Sequence, residues 1–329
     1  MMALPFGVEK TLTSSHAVMA QTQGLQTMYG YVGTEEDGEP VVAIVADIPT
    51  QVRSPLDKRE TELVDVRRFL IHAGHGDAPL EAGAHPNSPP DTIATIGGEE
   101  VRIEAAQLHL PQQPGRKNNT HASRYFAFEH LRNTLVAQST RLSGPLRQHR
   151  GYVVCVWFGD PLAVAGDRFP IRTAEPLIDL LRKAQPPPPA PAGPLPKQAQ
   201  DGVVAWNKDK AIGVSWGNLP AEYDSGFATA LGFELGLSYN VTIRSREVTA
   251  ELQRIVVDHD SAEVDVLVIS TNAAMANGLH FPSAHFVANR AFDHPDPLNG
   301  YDPEHLTGVA LHDPAAPGRV RWLIGDGLR

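Results

Sequence analysis

Seven of the thirteen residues from 185 to 197 (QPPPPAPAGPLPK) are proline. Proline fixes φ and carries no backbone N–H, so this run can enter neither a helix interior nor a central strand. Extended polyproline II is the form left to it. It is expected to join two parts of ordinary domain size, residues 1–184 and 198–329, or else to strap one body. As a protein-interaction device, the same run could dock on a partner's aromatic groove. With 329 residues, 42% of them hydrophobic, the chain has enough apolar material for a real core on either plan.

Before the proline run, alternation over residues 41–46 (VVAIVA) reads as a strand paired through an acidic, glycine-containing turn with residues 28–32. Further strands are expected at 67–73, 101–110 and 152–158. The Gly-, Pro- and His-rich stretch 74–90 is expected as a surface loop. Helices are expected at 122–142, where Phe128, Leu131, Leu135 and Leu142 share one sector, and at 174–184. Beyond the run, residues 203–206 and 211–216 flank Asn207-Lys208-Asp209-Lys210 as a hairpin. A helix (223–235), a strand (238–243), a helix (247–257) and a strand (264–270) follow, then a loop-rich end with strands at 307–311 and 320–324. The fold class is therefore α+β or α/β: a mixed-sheet N-terminal part and a βαβαβ-like C-terminal part. Within the latter, residues 213–286 resemble the first lobe of a periplasmic solute-binding protein, through Gly226-Phe227, Leu235-Gly236-Leu237 and the run 264–269. The likeness implies an α/β layer there.

The charge is divided along the chain. Residues 114–152 hold Arg116, Lys117, Arg124, Arg132, Arg141, Arg147 and Arg150 against Glu129 alone, a net +6 inside a chain of −10, which leaves −16 elsewhere. His121, His130 and His149 share the segment with Tyr125, Phe126, Phe128 and Tyr152. Arginine forks onto phosphate and stacks on bases, and aromatic rings take base faces. The acidic remainder would repel a polyanion everywhere else. The expected function is a non-catalytic, single-stranded nucleic-acid binder, RNA above DNA, acting as a subunit of a nucleoprotein assembly with other protein subunits. Its site would be Arg116, Lys117, His121, Arg124, Tyr125, Arg132, Arg141, Arg147 and Arg150. The competing expectation is that these arginines pair with carboxylates of the same chain.

No cofactor is expected on the nucleic-acid reading. The alternative is a metal-dependent hydrolase or nuclease, with Asp258, Asp260, Glu263 and Asp265 at the mouth of the 264–270 strand holding Mg or Mn. An acid-x-lysine pair on a following strand is missing, since Ser270-Thr271-Asn272-Ala273 comes next. Five histidines (His280, His285, His294, His305, His312) among Asp293, Asp296, Asp302, Glu304 and Asp313 could in principle make a zinc or iron site, but they lack a helical His-x-x-x-His pair. The lone Cys155 excludes a disulfide framework and sits in an apolar run, as an inert core thiol would. Glycine-rich phosphate loops, dinucleotide fingerprints and Gly-x-Ser-x-Gly elbows do not occur. No apolar run is long enough to cross a bilayer and the N-terminus does not read as an export signal, so no membrane partner and a cytoplasmic location are expected.

Overall fold

The computed structural model describes residues 14–22, 25–34, 40–47, 49–51, 57–84, 88–110, 121–158, 174–186, 205–209, 211–219, 226–274, 278–281 and 283–328. Helices and mixed sheets make an α+β fold. The chain forms two compact units, each built from two stretches: Met1–Thr50 with Pro111–Thr242, and Gln51–Leu110 with Ile243–Arg329. Residues 187–197 of the proline run lie outside the described residues, and the division expected there stays an expectation.

The first unit holds a seven-stranded sheet. Strands β1 (Ser14–Thr22), β2 (Leu25–Thr34) and β3 (Pro40–Asp47) form an antiparallel meander, which includes the expected pairing of residues 28–32 with 41–46. The order continues β3-β11-β8-β10-β9, with β8 (Tyr152–Phe158), β9 (Ala205–Trp206), β10 (Ile212–Asn218) and β11 (Glu234–Arg244). β8 lies parallel to β11 and antiparallel to β10, and β9 and β10 make the expected hairpin. Every residue of β8 after Tyr152 is buried, as an unbroken apolar run requires of a central strand.

Helix α2 (His121–Ala137) and the short α3 (Ser139–Leu142) replace the single expected helix, and Phe128, Leu131, Leu135 and Leu142 are all fully buried on the sector anticipated. α4 (Glu175–Lys183) buries Leu177, Ile178, Leu180 and Leu181. The helix expected over 223–235 is shorter: α5 (Gly226–Leu231) stops at Gly232, whose φ of +83° is left-handed, and β11 begins two residues later. Cys155 is buried between β-strand neighbours, and burial raises its thiol pKa to about 11, so it stays an unreactive thiol.

The second unit holds a six-stranded sheet in the order β15-β14-β12-β7-β6-β5. Strands β5 (Leu80–Ala82), β6 (Thr92–Ile96) and β7 (Glu99–Gln107) are an antiparallel meander. β7, β12 (Val266–Ser270) and β14 (Gly308–His312) then run parallel, and β15 (Val320–Ile324) closes the edge antiparallel. The two-residue strands β4 (Thr50–Gln51) and β13 (Leu279–His280) lie outside this sheet. Helix α6 (Ser245–His259) leads from β11 to β12, which belong to different sheets, so this stretch is not a crossover within one sheet. α7 (Ser283–Asp293) precedes β14.

The stretch 67–73, expected as a strand, is instead the end of helix α1 (Lys58–His72) with its C-cap, Ala73. Its start is fixed by a capping box: the Glu60 amide donates to Asp57 Oδ1 at 2.8 Å, and the Asp57 amide donates to Glu60 Oε2 at 3.2 Å. Val66, Phe69 and Leu70, at helical spacing, pack against Ala94, Ile96, Ile103, Val266, Val268 and Ala310 of the sheet. Among the described residues, no helix is long and apolar enough to cross a membrane.

Candidate functional site

Not all of the basic segment faces outward. Arg116 and Lys117 lie outside the described residues, and His121 and Arg124 are placed on the first turn of α2. Tyr125 is buried, which removes it from the expected binding surface. Arg132 is also a correction to that set: it is buried, and its Nε and Nη2 both donate to Glu234 Oε1 at 3.4 Å. Its guanidinium lies over the Phe227 ring, 4.9 Å from the centroid. A buried guanidinium needs such a partner, and Glu234, fully buried at the start of β11, supplies it. The Glu234 carboxylate also accepts the Leu235 amide at 2.8 Å.

What stays exposed is a coherent subset. Phe126 is 51% exposed, and His130, four residues on and so on the same side of α2, is exposed too. Arg141, Arg147 and Arg150 are exposed on the stretch that follows. Arg141 has Glu175 at 3.7 Å, but both side chains are more than half exposed, so the pair holds it only weakly. The one acid of the segment, Glu129, has its carboxyl pKa raised by burial and holds its negative charge less firmly than a free carboxylate.

His149 anchors the turn carrying these arginines. Trp216 Nε1 donates to its Nδ1 at 3.0 Å, so the ring proton sits on Nε2, which donates to the Leu181 carbonyl at 2.8 Å. Burial keeps this imidazole neutral by lowering its pKa. A Cβ on Gly232 would meet Arg150 Cγ at 2.8 Å, so the glycine leaves room for that arginine's stem.

The acidic cluster does not converge. Asp258 pairs with Arg254, which also forks onto Glu251. Asp260 accepts the amides of Glu304, His305 and Leu306 at 2.7, 2.9 and 3.2 Å. Glu263 is exposed, with its amide on Ser261 Oγ at 3.3 Å. Asp265 takes a two-point fork from Arg102 (Nη2–Oδ1 2.6 Å, Nε–Oδ2 3.0 Å), which holds its carboxyl below the usual range. Two carboxylates that sequence reasoning passed over, Asp91 and Glu104, clasp β6 to β7: Asp91 Oδ2 accepts the Ala105 amide and Glu104 Oε2 the Asp91 amide, with His259 Nδ1 at 3.5 Å from Glu104 Oε1. Among the described residues, no group of three His, Cys, Asp or Glu could hold a metal ion.

The C-terminal histidines separate as well. His294 accepts the Asp296 amide in an exposed turn, whereas His312 ends β14 fully buried. It meets His72, the last residue of α1, with Nε2 3.0 Å from His72 Nδ1. These two residues are 240 positions apart, and no local pattern links them. Compared with known protein families, curated proteins and solved structures, the chain matches none.

Proposed function

We propose that the chain binds a single nucleic-acid strand, as a cytoplasmic subunit of a nucleoprotein assembly, through the outer face of α2 and the stretch that follows it. The reading is supported by one observation above the rest: Arg141, Arg147 and Arg150 are all exposed on a stretch whose sequence holds no acid from residue 130 to residue 159. The arginines would take phosphates, and exposed Phe126 and His130 would offer rings to bases. RNA is the preferred strand, since single-stranded RNA offers unstacked bases to such rings.

Salt tests the reading. A protein engaging three phosphates of a single strand should lose affinity with a slope of about −2 in log K against log salt. Fluorescence anisotropy with a labelled single-stranded oligoribonucleotide measures it. A slope near zero would mean that the arginines do not meet phosphate.

A further inference from the structure

We propose that the second unit carries an acid-sensitive latch, in which His72 and His312 hold the carboxyl ends of β12 and β14 closed while neutral and release them when protonated. His312 is fully buried, edge-on to Phe69 (ring centroids 5.8 Å apart) and to His72 (5.1 Å). The 3.0 Å contact between His312 Nε2 and His72 Nδ1 shares one proton between two nitrogens. A second proton there would set N–H against N–H. His312 Nδ1 has no hydrogen-bond partner among the described residues, and neither does the buried Asn272 Oδ1 just past β12. Protonated imidazole donates from both nitrogens, so charging His312 in place would strand a buried donor and a buried charge.

The nearest cation opposes a further proton. From α1, Arg68 faces both His72 and His312. Among the described residues the carboxylate facing His72 is Asp313, which favours a proton there but is fully buried and already engaged by Arg319 at 3.2 Å and by the Ala315 amide at 3.1 Å. Burial is the largest cause for both imidazoles: it holds His312 down at about 3 and lowers His72 from the ordinary 6.5. A lowered value in the closed state means that closure is fully favoured above 6.5 and is lost as pH falls below it. The latch acts on the sheet because the Thr271 amide and hydroxyl both donate to the His312 carbonyl, at 2.9 and 3.3 Å.

Amide hydrogen exchange on the full chain, between pH 7.5 and pH 5, tests this. The peptides covering residues 266–272 and 308–313 report on the latch, and the β8 peptide serves as the reference. After correction for intrinsic exchange, the opening equilibrium at Thr271 should rise about tenfold per pH unit below 6.5 for each proton taken up, ahead of β8. His72→Gln should lower that pH slope by one proton, and His72→Asn is a second variant if the first does not fold. Flat protection at Thr271 down to pH 5 would overturn the proposal, as would an unchanged slope in both variants.

Discussion

Replacing Glu234 with alanine should destabilise the first unit by about 3–5 kcal/mol, the usual cost of leaving one member of a buried ion pair uncompensated. Among the described residues, the Arg132 guanidinium would keep only the face of Phe227, in a region where Leu131, Leu135, Leu231 and Phe233 are fully buried or nearly so. Arg132→Ala should cost a similar amount, because it removes the cation that compensates the fully buried Glu234 carboxylate. The double variant Arg132→Met/Glu234→Leu should come close to the parent, because apolar groups of similar volume restore packing without an unpaired charge. Urea unfolding followed by tryptophan fluorescence, with Trp216 buried in the same unit, measures all three. A small loss in either single variant would show that Arg132 reaches water, and would return it to the exposed set.

Phe69→Ala should cost the second unit about 3–5 kcal/mol. The ring is fully buried among Val66, Leu70, Ile103 and Ala310 and lies edge-on to both His312 and Trp322. Its loss leaves a cavity between α1 and the sheet, directly beneath the histidine pair. Ile71, two residues along the same helix, is 56% exposed, and Ile71→Ala should change stability by less than about 0.5 kcal/mol. A comparable loss at both positions would mean that residues 67–73 do not form the helical face described. Thermal unfolding of the two variants side by side decides it.

Where one element carries its own signal, the sequence was readable. β8 is an apolar run bounded by Gly151 and Gly159, and α2 shows its buried sector at Phe128, Leu131 and Leu135. α1 misled because Phe69, Leu70 and Ile71 are consecutive bulky apolar residues, which read as strand, while the deciding capping box lies ten residues upstream at Asp57 and Glu60. The interleaving of two units is invisible locally, since β7 and β12 pair in parallel across more than 150 residues of chain. The basic segment was readable as a charge excess. Its division into buried Arg132 and exposed Arg141, Arg147 and Arg150 was not, because the partner Glu234 is 102 positions away. The same reason hid the histidine pair: His312 stood out in the C-terminal stretch, but its partner His72 lies 240 positions away.

On the proposed function, the exposed arginines of the first unit hold a nucleic-acid strand. Its most direct measurement is the affinity of a single-stranded oligoribonucleotide for the parent chain and for Arg141→Ala/Arg147→Ala/Arg150→Ala, at one moderate salt concentration and with unfolding midpoints measured alongside. Each arginine should contribute about one unit or less to the salt slope and none to the fold, so the triple variant should bind at least about tenfold more weakly with an unchanged midpoint. Equal affinity in the two proteins, or no binding by the parent chain, would contradict the claim.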